Sequence, residues 1–192
     1  MPPSTTLSDA ALIERSWRDP EDFALLFDRH AGHIHRYVAR RLGDDTADDV
    51  VSETFLAAFR QRRDYDTARP EALPWLYGFA TNFVRRHQRA EINRYKAYSK
   101  VGALPDADDA AEQALERASA QAVRRPLARA LASLKARDRD VLLLVAWADL
   151  SYEEVANALS IPIGTVRSRL SRARAIVRDV LGSIDPTMEQ TS

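Results

Sequence analysis

At 192 residues the chain is long enough for one medium domain or two small ones, and 45% hydrophobic with 29% charged residues is the composition of a soluble globular protein. The absence of cysteine excludes disulfides and thiolate metal sites, and no apolar run approaches the ~20 residues of a membrane-spanning helix. The 28 basic and 28 acidic residues cancel to a net charge of zero, which argues against indiscriminate nucleic-acid binding by the whole chain.

The opening "MPPSTTLSDAAL" has neither the basic nor the apolar segment of a signal peptide, so a cytoplasmic location is expected. Glycine is sparse and no run alternates apolar with polar residues between turns, so the chain reads as all-α. A first helix is predicted over about 20–41, where Phe23, Leu26, Phe27, Ile34, Tyr37, Val38 and Leu42 recur at helical spacing. His30, His33 and His35 lie close together there. No third ligand has matching spacing, so they read as ordinary helix histidines and no metal site is expected. Gly43 ends this helix, and Asp44 or Asp45 is placed to cap the next, "ADDVVSETFLAAFRQ". The acids of "GDDTADDVVSE" (43–53) favour the positive end of that helix.

Pro70 and Pro74 break the pattern within "DYDTARPEALP". A third helix then runs from about Leu73 to Arg94. Its "PWLYGFATNFVRRHQR" sets a core stripe of Trp75, Leu76, Phe79, Ala80 and Phe83 beside Asn82, Arg85, Arg86 and Arg89, which fall outside the stripe and suit nucleic acid. Tyr65, in the preceding loop, has the ring to stack on an unpaired base. Residues 97–117 are rich in Ala and Asp and poor in large apolar side chains, the composition of a flexible acidic linker.

Further helices are predicted at about 119–134, 138–148, 151–159 and 162–181. Ser151 and Glu154 have the spacing of a capping box, with Leu150 and Val155 at the positions of a hydrophobic staple. "SIP" turns the chain and Pro162 suits the first position of the next helix, so the last two helices form a helix-turn-helix candidate. "IPIGTVRSRLSRAR" (161–174) holds four arginines and no acid. At ~100° per residue, Ile163, Val166, Leu170, Ala173, Val177 and Val180 form one stripe toward the core. Gly164, Ser168, Ser171, Arg172 and Ala175 lie opposite, with Arg167, Arg174 and Arg178 on one flank and Arg169 on the other. Small residues let a helix enter the major groove while flanking guanidiniums reach phosphates and a central arginine or serine meets base edges.

Taken in order, "DDVVSETFLAAFR", "LPWLYGFATNFVRRHQR", an acidic linker and "RDVLLLVAWADLSYEEVANALSIPIGTVRSRLSRAR" resemble the extracytoplasmic-function class of bacterial RNA polymerase sigma factors over about residues 20–182. The resemblance implies two small helical domains, region 2 (20–96) and region 4 (119–182), joined by a linker (97–118). It implies that Asp48, Asp49, Ser52 and Glu53 dock on the clamp of core RNA polymerase. Tyr65, Asn82, Arg85, Arg86 and Arg89 match the residues that capture the single-stranded −10 element. Thr165, Arg167, Ser168, Arg169, Ser171, Arg172 and Arg174 match those reading the −35 duplex. An anti-sigma factor is a further implied partner; no cofactor, catalytic residue or membrane insertion is implied. The chain departs from the family's common residues at Ser160, often Gly, at Lys135, often Pro, and at Ser52, commonly Gln.

Two other readings compete. A stand-alone helix-turn-helix regulator leaves "DDVVSETF" and the aromatic-basic third helix unused. A sigma mimic that sequesters an anti-sigma factor has no use for Arg167, Arg169 and Arg172. No serine-histidine-aspartate set, phosphate loop or zinc-protease motif is present, so no enzymatic chemistry is expected.

Overall fold

A computed structural model describes residues 7–101 and 126–182, the side chains of 91–101 excepted. Every regular element among the described residues is helical. In chain order they are α1 (Asp9–Arg15), a 3₁₀ turn (Pro20–Phe23), α2 (Ala24–Leu42), α3 (Asp44–Arg60), a short 3₁₀ turn (Arg62–Asp64), α4 (Leu73–Val101), α5 (126–133), α6 (Ala136–Ala146), α7 (Tyr152–Leu159) and α8 (Ile163–Gly182).

The predicted first helix begins as the 3₁₀ turn and becomes α-helical at Ala24. The turn between α2 and α3 is a single residue, Gly43, whose φ of 87° is reached without strain only by glycine. Gly43 itself stands at the N-cap of α3. Asp44 and Asp45 are therefore first-turn acids that offset the helix dipole, and not the caps expected of them. Helix α1 was not anticipated; Ser8 caps it by accepting the Ala11 amide at 3.2 Å. Helix α4 runs past its expected end near Arg94 to Val101 and so takes in the first residues assigned to the linker. Residues 102–118 of that linker, and the start of the helix expected from 119, lie outside the described residues.

Helices α2, α3 and α4 pack against one another, with α1 and the first 3₁₀ turn against α2. Leu26, Ile34, Val38, Val50, Leu76 and Val84 are fully buried between them, each worth roughly 1.5–3 kcal/mol of apolar burial. The stripe expected on α4 is turned slightly. Leu76, Tyr77, Ala80, Thr81 and Val84 are buried, while Trp75, Phe79 and Phe83 are half-covered at its edge. Arg41 donates to the Tyr37 hydroxyl at 2.7 Å, and that hydroxyl shares a hydrogen bond of 3.0 Å with the Thr81 hydroxyl, so the buried polar groups are satisfied in a chain.

Helices α6, α7 and α8 form the second bundle. The capping box is made in full: the Ser151 amide donates to Glu154 Oε2 at 2.7 Å, and the Glu154 amide to Ser151 Oγ at 3.2 Å. Ser160 ends α7 in the left-handed conformation at φ 51°. Val166, Leu170 and Ala173 of α8 are buried, whereas Ile163, Val177 and Val180 are half-covered.

The two bundles are not separate. Helix α7 lies along α4, α6 touches it as well, and the buried apolar side chains of both halves make one continuous cluster. A Cβ on Gly78 would stand 2.4 Å from the Ala158 carbonyl oxygen, so only glycine permits this approach. Arg40 sits over the Trp147 ring at 5.6 Å.

Candidate nucleic-acid interface

The exposed side of α8 carries the charge that its sequence promised. Gly164, Ser168, Ser171, Arg172 and Ala175 are exposed, Thr165 and Arg169 half-exposed, and Arg167, Arg174 and Arg178 fully on the surface. Arg167, Arg174 and Arg178 rim a groove of about 340 Å³ beside Tyr152. Among the described residues no carboxylate forms an ion pair with Arg167, Arg169, Arg174 or Arg178. Unpaired guanidiniums on a face of small residues are what a polyanion needs. Two residues of this face are already engaged. Ser168 Oγ donates to the Thr165 carbonyl at 3.1 Å. Arg172 Nη1 donates to both carboxylate oxygens of Asp138 on α6, at 3.0 and 3.1 Å.

On α4, Asn82 and Arg89 are exposed. Arg85 turns toward the second bundle and pairs with Asp140 of α6, whose side chain is 0% exposed. Arg86 turns the other way. It stacks over Phe83 at 4.8 Å and donates to both oxygens of Glu53 on α3. Four residues expected on one nucleic-acid surface thus point in three directions, because α4 has a different neighbour on each side.

Tyr65 is buried, its hydroxyl shared between the carbonyls of Arg69 (2.8 Å) and Glu71 (3.0 Å) and its ring 5.0 Å from that of Trp75. Burial raises the phenol's pKa to about 12. The ring is therefore part of the loop's own framework and is not held out for stacking. It helps line a cleft of about 740 Å³ between this loop and the α7–α8 turn, with Trp75, Ile161 and Pro162 among the apolar walls.

The acidic face of α3 is open at Asp48, Asp49 and Ser52; His35 lies 3.4 Å from Asp48, which is 88% exposed. Leu56, one turn beyond Ser52, is half exposed on the same ridge. Sequence reasoning passed over it, although its spacing from Asp49, Ser52 and Glu53 puts it there.

It also passed over Asp140, which pairs with Arg41 as well as with Arg85. The signal was present: Asp140 precedes the buried Leu143 and Leu144 by three and four residues, so a carboxylate sits on an apolar stripe, and a buried carboxylate requires a cation. His30 belongs to another network. Its Nε2 lies 2.7 Å from Asp9, which also accepts from Arg29 at 3.0 Å and from the Ala72 amide at 3.0 Å.

The family profile described as "Sigma-70 region 2" matches residues 26–94, and that described as "Sigma-70, region 4" matches residues 124–177. The chain is 31% identical over 184 residues to the ECF RNA polymerase sigma-E factor of Escherichia coli K12, covering 91% of this chain and 94% of that one. It is 28% identical to the ECF RNA polymerase sigma factor SigK of Mycolicibacterium vanbaalenii, over 95% and 93% of the two chains. Among solved structures, CnrH in complex with the cytosolic domain of CnrY superposes with a TM-score of 0.62 at 25% identity, covering 92% of this chain and 99% of that one. No described helix is long and apolar enough to cross a membrane. With both regions matched and the alignment running through nearly its whole length, the chain belongs to the extracytoplasmic-function class of RNA polymerase sigma factors, which direct transcription initiation.

Proposed function

We propose that residues 20–96 act as region 2 and residues 119–182 as region 4 of a cytoplasmic initiation factor that works by binding alone, with no catalysis of its own. Asp48, Asp49 and Ser52, extended by Leu56, dock on core polymerase. Asn82, Arg85 and Arg89 meet the −10 strand, and α8 enters the −35 major groove through Thr165, Ser168, Ser171 and Arg172. Arg167, Arg169 and Arg174 hold the phosphates on either side. The observation that carries this reading is the set of arginines flanking a face of small residues on α8, which form no ion pair among the described residues. Among the solved neighbours, CnrH is in complex with the cytosolic domain of CnrY, and the sigma factor RpoE is in complex with the anti-sigma factor NepR from Bartonella quintana; an anti-sigma partner is proposed here.

The test is reconstitution. The chain is mixed with core polymerase, isolated by gel filtration, and assayed for run-off transcription from promoters selected out of a random library. Co-elution with specific initiation, lost on changing Arg167 and Arg174 to Ala, is the expected result. Duplex binding without polymerase capture would instead indicate a stand-alone regulator.

A further inference from the structure

The loop between α3 and α4 carries Tyr65, which the family resemblance assigns to the −10 strand, and α1 holds this loop from outside. At its far end the Ala72 amide donates to Asp9 Oδ2 at 3.0 Å, and the Ala10 amide donates to the Pro70 carbonyl at 3.3 Å. At its near end the Trp17 indole donates to the Arg62 carbonyl at 3.2 Å, and Arg62 Nε donates to the Ser16 carbonyl at 3.3 Å. Between these anchors Asp66, Thr67, Ala68 and Arg69 are exposed. The loop has bonds of its own. Tyr65 donates to the Arg69 and Glu71 carbonyls, and Asp66 accepts from the Ala68 amide and the Arg69 side chain. Those bonds fix its shape, and α1 fixes where that shape sits.

We propose that α1 and the residues just after it brace the loop that meets the unpaired −10 strand, gripping it at both ends so that its exposed tip is set in place before DNA arrives. Asp9 and Trp17 are then positioning residues for base discrimination, although neither touches DNA. The proposal rests on the family reading for what the loop binds, but the bracing itself does not depend on it.

Helix α1 can act as an anchor because it is fastened to the rest of the first bundle. The second oxygen of Asp9 accepts from Arg29 of α2 at 3.0 Å, and His30 Nε2 lies 2.7 Å from the oxygen that takes the Ala72 amide. At the other end of α1, Arg15 pairs with Asp22 of the first 3₁₀ turn at 2.9 Å. Leu12 and Ile13 are fully buried. Both ends of the loop are thus tied through α1 to α2. A free loop loses backbone entropy when it closes on a ligand, whereas one already in place keeps more of its contact energy for telling one base from another. Pro70, whose carbonyl takes the Ala10 amide, lines the cleft beside the loop together with Tyr65, Arg69 and Trp75. Releasing the anchors therefore moves a wall of that cleft.

The experiment uses the whole chain, first alone and then as holoenzyme with core polymerase. Trp17→Phe keeps a ring and removes only the indole donor to Arg62. Asp9→Asn removes the charge that gathers Arg29, His30 and the Ala72 amide. Val38→Ala, at a fully buried position on α2 that makes none of these bonds, is the control for lost stability alone. Amide hydrogen exchange over residues 61–72 reports the brace. Run-off transcription reports discrimination, using a promoter selected out of a random library and single-base changes in its −10 and −35 elements. Both brace variants are expected to exchange faster in this loop. Each is expected to lose roughly threefold to tenfold of its −10 discrimination, the range of one hydrogen bond, with −35 discrimination and polymerase capture unchanged. Val38→Ala is expected to keep its discrimination. Unchanged exchange in both variants would overturn the brace. Faster exchange with full −10 discrimination, or an equal loss in Val38→Ala, would overturn the positioning role. If the family reading alone is wrong, the loop still loosens in the variants but the parent chain captures no polymerase.

Discussion

The carboxylate of Glu53 on α3 is held by Arg86 on α4 through two hydrogen bonds of 2.7 and 2.6 Å, with His87 Nε2 3.6 Å away. Residues assigned to two different partners, polymerase and the −10 strand, are thus committed to each other. The pair clamps α3 to α4 and divides the acidic face of α3. Asp48, Asp49 and Ser52 remain exposed to a partner, while Glu53 is part of the bundle.

Charge reversal separates these roles. Asp49→Arg is expected to abolish capture of core polymerase without moving the melting temperature, since Asp49 is exposed and makes no ion pair among the described residues. Glu53→Arg is expected to weaken capture and also to lower stability by about 0.5–1 kcal/mol, the range of a partly exposed ion pair set against a new like-charge contact. Co-precipitation with polymerase and thermal unfolding of both variants make the comparison. Normal capture by Asp49→Arg would remove α3 as the docking helix.

Ser160 is the one residue of the helix-turn-helix held at positive φ, 51°, where the family often has glycine. A side chain in the left-handed region costs roughly 1–2 kcal/mol, while glycine adopts it freely but loses more entropy on folding. Ser160→Gly is therefore expected to stabilise the second bundle by up to about 1 kcal/mol and leave DNA binding unchanged. Denaturant unfolding followed at Trp147 reports this; a loss of stability would mean that the serine is held by something other than its backbone.

What the sequence made legible was local. The capping box at Ser151, the stripe on α8 and the arginines outside it each depend on spacing within one helix, and each stands where its spacing put it. What stayed hidden depends on which helix lies alongside. Nothing near Arg86 in sequence says that Glu53, 33 residues earlier, will turn it away from nucleic acid. Arg172 has the rotational setting expected of it, yet its guanidinium is claimed by Asp138, 34 residues before it. Tyr65 looked like a free ring because its loop has no periodicity, and the carbonyls that fix its hydroxyl belong to that same irregular loop. Helix α1 is only seven residues long, too short for periodicity to announce it, and it is held by Asp9 reaching Arg29, His30 and the Ala72 amide.

Asp9 makes an acid-sensitive clasp. Burial acts to raise its pKa, but hydrogen bonds from His30, the Ala72 amide and Arg29, with the charge of His30, outweigh that effect and leave it below the ordinary 3.8. The unfolded chain therefore binds the proton more readily than the folded one. Asp9's contribution is complete above the unfolded value and disappears as pH falls through the lower folded value. Asp9→Asn is expected to cost about 1–3 kcal/mol at neutral pH, because Arg29 and His30 lose their anion, and the gap from the parent protein should close in acid. Unfolding free energies of the two proteins, measured stepwise downward through pH 3.8, decide it. A gap that stays constant would mean that Asp9 is not ionised in the fold.

Arg172 and Arg174 stand two residues apart on α8 and should fail differently when changed to alanine. Arg172 is central to the face of small residues but is tied to Asp138, whose side chain is 3% exposed. Removing it leaves that carboxylate without its cation, at a cost of about 1 kcal/mol given that the arginine itself is half in solvent. Arg174 lies on the flank with no ion pair among the described residues, so its loss should leave stability within about 0.5 kcal/mol. On DNA the order changes. A lost base contact costs ~1–3 kcal/mol and appears as relaxed discrimination at one position of the −35 element. A lost phosphate contact weakens all sequences alike and lowers the salt slope by about 0.9. For Arg172 to reach a base it must first leave Asp138, so Asp138→Asn, which frees it, is expected to tighten duplex binding while Arg172→Ala loosens it. Titrations of duplexes with single-base changes at two salt concentrations, alongside thermal melts, read all four quantities. Equal loss of discrimination in Arg172→Ala and Arg174→Ala would show that α8 enters the groove on a different face, and a neutral Asp138→Asn would show that Arg172 stays with the protein.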